Sequence, residues 1–170
     1  MSNTIESLIA KQDIYELVAN YMRGLDRLDA ELLRSVFHED GWCEYGICDA
    51  TPYEFVEFAM GALKDHEANQ HMIGNVLIDI DGDQAFGEVY FNAFHKVKSE
   101  SGFDDVIIAG RYIDRYERRD GVWKIAYRSE RADWCRTEPT RETFFEETPA
   151  TLRGGRQDDA VYRTDNRKRP

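Results

Sequence analysis

Four histidines, His38, His66, His71 and His95, are the side chains of this sequence best suited to moving a proton near neutral pH. None stands at HxH, HxxxH or HExxH spacing to another, so no local metal-binding pattern is present. There is no Gly-rich phosphate loop and no GxSxG elbow. Cys43, Cys48 and Cys135 form no CxxC pair and are odd in number, which reads as free thiols in a reducing compartment. What remains is acid–base chemistry by histidine and carboxylate, with no metal and no cofactor expected. Asp26 is a candidate carboxylate, because it lies beside the apolar Met22 and Leu25, where a charge is costly unless paired. It is an exposed helix-end residue, a partner of Arg23 or Arg27, or a partner of an imidazole. His71 shares a strand face with Ile73 and Asn75, and His95 shares one with Phe91, Ala93 and Val97. The second face lines either a core or a pocket. Tyr21 and Tyr45 read as core aromatics or as phenols of a site. Arg128 alternates with Lys124 and Ala126, so it belongs to a solvated face or to a site.

The elements that must position these residues change period midway along the chain. Residues 5–28 read as a helix, with Ile14, Leu17, Val18, Tyr21, Met22 and Leu25 on one apolar face. Asp29 can cap a short second helix that turns Leu32, Leu33, Val36 and Phe37 inward and ends at Gly41. Residues 42–47 read as a short strand. Thr51-Pro52-Tyr53-Glu54 predicts a helix start with a capping box and proline at its first position, running to about Asp65 and burying Phe55, Phe58 and Leu63. Four long strands follow: His71 to Asp81, Gln84 to Lys98, Val106 to Glu117 and Val122 to Trp134. Asp81-Gly82-Asp83 and Asp120-Gly121 are hairpin turns. Gly87 and Gly110 lie within strands and predict a bulge or bend. Helices followed by long hairpin strands define an α+β domain. Strands this long must twist, and a bent antiparallel sheet closed by a long helix leaves a cone around one apolar pocket. The domain is expected to span 1–150, with 151–170 a polar tail, disordered or laid on a neighbouring subunit.

Bulk properties narrow the partners. The chain has 170 residues, enough for one domain with a proper core. Its formal charge of -11 argues against nucleic acid and against anionic membrane surfaces. No apolar run approaches a membrane span, and the polar, acidic start is unlike a signal peptide, so a cytoplasmic protein is expected. The aromatics Trp42, Tyr45, Phe55, Phe58, Phe91, Phe94 and Trp134 favour a hydrophobic ring-containing ligand.

The run Asp114-Arg115-Tyr116-Glu117-Arg118-Arg119-Asp120-Gly121-Val122-Trp123-Lys124 resembles the last hairpin of the SnoaL-like family, within the nuclear-transport-factor-2-like superfamily. The helix end Gly24-Leu25-Asp26-Arg27-Leu28-Asp29 and His71 at the first long strand extend the likeness over roughly residues 5 to 135. Scytalone dehydratase, bile acid 7α-dehydratase and hexachlorocyclohexane dehydrochlorinase are the members it is most similar to. The resemblance implies that Asp26 and His71 form a His–Asp dyad, that Arg128 steadies a leaving group, and that Tyr21 is a catalytic tyrosine. It places Tyr45 and His95 near substrate-binding positions; Trp42, Phe55 and Phe91, from the aromatic set above, are expected as further lining. It implies a cofactor-independent lyase that eliminates water or cleaves a carbon–carbon bond to release formaldehyde. Double-bond isomerisation of a steroid-like compound, a small subunit of a ring-hydroxylating dioxygenase, and a ligand carrier are the rival readings. Members of this kind are homo-oligomers, and a trimer is expected ahead of a dimer.

Overall fold

Thr4 opens the first helix: its side chain accepts from the Ser7 amide, and Ser7 reaches back to the Thr4 amide. The resulting helix, α1 (Ile5–Arg27), buries Ile14, Val18, Tyr21, Met22 and Leu25 on the face predicted from their spacing. It stops at Leu28, which takes the left-handed conformation with φ 53°. The chain then reverses at once, and the Asp29 carboxylate caps α2 (Ala30–Ser35) by accepting from the Leu32 amide. Gly24 makes this tight return sterically feasible. A Cβ there would stand 2.9 Å from the Leu33 Cβ, so only hydrogen lets the two helices approach.

These features belong to a computed structural model that describes residues 4–162. The strand β1 (Phe37–Glu44) begins five residues earlier than the expected 42–47, and Gly41 lies inside it rather than ending α2. Val36 and Phe37 are buried against the core, and that burial holds the segment extended. A two-residue β2 (Asp49–Ala50) pairs back on β1, and α3 (Pro52–Leu63) follows with the predicted Thr51–Glu54 capping box in place. Phe55, Val56, Ala59 and Leu63 face inward. Phe58 was expected to be buried but is 41% exposed, because it falls on the outer side of the same helix.

The long strands are β3 (Ala68–Asp81), β4 (Gln84–Ser99), β5 (Gly102–Arg119) and β6 (Val122–Pro139). Each is longer than its sequence pattern suggested, because polar residues at the ends still pair. The sheet order is β2-β1-β6-β5-β4-β3. All neighbours are antiparallel except β1 and β6, which run parallel. Register breaks at Ile73/Val76, at Ala109/Gly110 and at Arg115/Tyr116 concentrate bending in the sheet. Gly110 sits at such a break, as expected. Gly87 does not: its pairing is regular, and its missing side chain makes room for the Tyr116 ring, whose Cε2 would lie 2.7 Å from an added Cβ. The sheet curls around α1, and the core lies between them.

The polar tail from Arg153 to Tyr162 contacts its own chain along the C-terminal end of α1 and the start of β3. Its basic end, residues 163–170, lies outside the described residues. Among the described residues no helix is long and apolar enough to cross a membrane.

Candidate active site

Asp26 occupies the last turn of α1, and His71 lies opposite it on β3. The carboxylate of Asp26 and Nδ1 of His71 are 2.7 Å apart. The backbone amide of His71 donates to both carboxylate oxygens at 3.1 Å. A carboxylate at a helix C-terminus sits in the unfavourable end of the helix field, and these N–H groups offset that cost. Both side chains are nearly enclosed, 12% and 7% exposed for Asp26 and His71. With the proton on Nδ1 held by Asp26, the lone pair of the imidazole lies on Nε2.

The register of the sheet explains what surrounds this pair. His71 lies opposite Ala93, Asn69 opposite His95, and Ile73 opposite Phe91. Their side chains therefore share the concave face. The His71 and His95 rings meet edge to face with centroids 5.2 Å apart, and His66 approaches His95 at the same distance. Burial, followed by the neighbouring His71 and His66, pushes the His95 pKa down to about 3, so this ring is neutral.

Aromatic rings fill the cone beside the imidazoles. Tyr21 and Tyr45 share a hydroxyl–hydroxyl hydrogen bond of 2.6 Å. Tyr45 stacks on Phe55 with centroids 4.5 Å apart, and Phe91 stacks on Tyr112 at the same distance. Burial raises the pKa of both Tyr21 and Tyr45, so each phenol keeps its proton. The sequence led to a single apolar pocket. Stacked rings line the interior around these residues, and several clefts, rather than one, border the site from the outside. A cleft of about 420 Å³ is bordered by Asp26, His71, Ile73, Met22 and Tyr15, and one of about 410 Å³ by Asp26, Asn69 and Arg156. A larger one of about 730 Å³ lies between the first half of α1 and the middle of the sheet, away from the dyad.

Two sequence candidates take other positions. Trp42 is 45% exposed, since Cys43 takes the inward place in β1. Arg128 is fully buried and committed to Asp114: its Nε and Nη2 donate to the carboxylate at 2.8 and 2.7 Å. Its guanidinium lies between the rings of Tyr21 and Tyr112, 4.2 and 4.1 Å from their centroids, and Nη1 has no hydrogen-bond partner among the described residues. Burial opposes its charge, yet Asp114 holds its pKa above the ordinary range. Sequence reading missed Glu130, which lies opposite Tyr112 in β6. Burial raises the pKa of its carboxyl, against the pull of Arg128 and His71. Its two-residue offset from Arg128 was the available signal. Asn69 was missed as well. His38 bonds the Glu117 carbonyl through Nε2. Burial pushes the Cys43 thiol up to about 12, which removes it as a nucleophile.

The geometry matches a known group of proteins. The model of the SnoaL-like domain matches residues 6–129. A protein from Novosphingobium aromaticivorans, provisionally named a scytalone dehydratase, is 25% identical with a TM-score of 0.70, covering 79% of this chain and 91% of its own. Hexachlorocyclohexane dehydrochlorinase LinA-type3 from Novosphingobium barchaimii is 21% identical with a TM-score of 0.70, covering 79% and 94%. A protein of unknown function with a cystatin-like fold from Nostoc punctiforme is 23% identical with a TM-score of 0.62, covering 78% and 96%. A comparison with curated protein sequences finds no match. With a family model spanning α1 to the middle of β6 and the same fold in these structures, the chain belongs to the SnoaL-like family.

Proposed function

We propose that this protein is a cofactor-independent lyase that eliminates water from an oxygenated, hydrophobic ring compound. The observation that carries the reading is the enclosed Asp26–His71 pair, in which Asp26 engages Nδ1 and leaves Nε2 unused, with the His95 ring beside it. In the elimination, Nε2 of His71 takes a proton from carbon, and that C–H electron pair becomes the new double bond. The C–O bond breaks, and the departing oxygen takes the proton from the His71 imidazolium to leave as water, while the Tyr21–Tyr45 pair keeps its own protons and donates a hydrogen bond to that oxygen. Asp26 stabilises the imidazolium that forms. Neutral His95 and the phenols donate hydrogen bonds to substrate oxygen. Arg128 acts on this site through Tyr21, which it stacks against, rather than by touching the leaving group. A cleft of about 420 Å³ that borders Asp26 and His71 gives a small molecule an approach to the dyad. The membership of the family and the likeness to a protein provisionally named a scytalone dehydratase agree with this chemistry.

The test is incubation with a panel of hydroxylated aromatic and alicyclic compounds, read by mass spectrometry. Loss of the mass of water is expected, and His71→Gln should abolish it. Loss of formaldehyde would replace elimination by carbon–carbon cleavage. A product of unchanged mass would point to isomerisation, and recovery of a bound compound unaltered would point to a carrier.

A further inference from the structure

The C-terminal segment reaches the back of the site. Arg27 donates to the Gly155 carbonyl and pairs with Asp159 at 3.1 Å, and the Tyr162 hydroxyl donates to Asp29 at 2.9 Å. Between these anchors Arg156 turns inward. Its Nη1 donates to the Asp26 carbonyl at 2.7 Å and its Nη2 to the His66 carbonyl at 3.0 Å. The first of these is a carbonyl of the last helical turn, which has no partner within the helix.

The same guanidinium faces the side-chain amide of Asn69, which is 7% exposed. One end of that amide lies 3.0 and 3.2 Å from Arg156 Nη1 and Nη2. The other end lies 3.0 Å from His95 Nδ1, 2.9 Å from His66 Nδ1 and 3.0 Å from the Ala68 carbonyl. A guanidinium can only donate, so the amide oxygen must face it. The two amide N–H groups are then shared among the carbonyl and the two ring nitrogens, and a ring N–H aimed at them would clash. A ring nitrogen that accepts carries no proton. His95, neutral in its buried setting, therefore holds its single proton on Nε2.

We infer that Arg156 is a positioning residue: by holding the Asn69 oxygen it fixes His95 as the Nε2–H tautomer, a neutral hydrogen-bond donor for an oxygen of the bound substrate. The use of this donor in catalysis rests on the lyase reading, whereas the tautomer does not. If the Asn69 amide turned over, its oxygen would call for a proton on His95 Nδ1 and convert Nε2 into an acceptor. Such a ring would repel the oxygen it is meant to hold.

Imidazole nitrogen NMR on the full-length protein reads the tautomer directly, without any substrate. In the native protein the His95 Nδ1 signal is expected at the unprotonated position. Arg156→Met should move it toward the protonated position, and Arg156→Lys should restore it. Tyr162→Phe, which loosens the tail without touching Asn69, should leave it in place. Asn69→Asp should bring a proton to Nδ1. Native His95 protonated on Nδ1, or an unchanged signal in Arg156→Met, would overturn the inference. With a substrate from the mass-spectrometric panel, Arg156→Met should lower kcat about 10-fold or more with a smaller change in KM. A loss of kcat with the tautomer unchanged would also overturn it. If the native protein turns over nothing, the lyase reading fails while the tautomer result stands.

Discussion

A carboxylate–guanidinium pair and a carboxylate–imidazole pair lie within the same cone, and their surroundings differ. Asp114 and Arg128 face each other across β5 and β6, both fully enclosed, with Tyr116 donating a further hydrogen bond to the carboxylate. Two aromatic rings flank the guanidinium. This pair is closed on itself and spans neighbouring strands, so it holds the sheet. Asp26 and His71 are also nearly enclosed, but they join α1 to β3, and the imidazole keeps a second nitrogen that Asp26 does not use. Burial alone therefore does not distinguish the structural pair from the pair proposed as catalytic. The spare basic atom does, together with a partner able to release as well as hold a proton.

Substitutions can break or sharpen that contrast. His71→Gln should lower turnover by about 100- to 10,000-fold, with little change in the denaturant midpoint. Asp114→Asn should do the reverse in kind: it leaves the Arg128 charge buried without its counter-ion and should cost about 3–5 kcal/mol of stability, read from urea unfolding. Equal losses of stability in the two variants would erase the distinction. Acid provides a third probe. Folded His95 resists protonation down to about 3, whereas the unfolded residue protonates near 6.5. The unfolded state thus binds the extra proton over that range, so stability falls as pH drops from about 6.5 toward about 3. The slope due to this residue is at most about 1.4 kcal/mol per pH unit, and His95→Phe should remove it from a series of unfolding midpoints. Tyr45→Phe deletes one hydroxyl of the Tyr21 pair and should cost about 1 kcal/mol in stability while slowing turnover. Trp42→Ala, on the outer side of β1, should leave turnover unchanged and alter stability by no more than about 0.5 kcal/mol.

The helix period of α1, the capping box at Thr51 and Glu54, and the alternation of the long strands were legible because each is a local pattern that burial or a hydrogen bond enforces. The start of β1 was not. His38-Glu39-Asp40-Gly41 carries no strand signal; the buried Phe37, paired with Ile125 of β6, and Trp42, paired with Tyr127, hold the segment extended across a break in register. Asp26 and His71 were legible as a pair through the family pattern, since their approach depends on how α1 crosses the sheet. Arg128 illustrates the limit. Its alternation with Lys124 and Ala126 indicates a face, but the register break near Ala126 and the carboxylate of Asp114 decide what that face meets. Asn69 has no sequence signal beyond its place in a strand, and Glu130 has only its two-residue offset from Arg128. They matter through neighbours that only the folded sheet supplies.

The position of Arg156 has a consequence for biosynthesis. Asp26 leaves the ribosome early, His71 and His95 follow, and the segment carrying Arg156 is translated after every strand of the sheet. The cone can close and bring Asp26 to His71 while the Asn69 amide still lacks the guanidinium that orients it. A nascent or shortened chain that lacks Arg156 would then hold the dyad with the Asn69 amide still unoriented, and the proposed site would be completed as that later-made segment docks.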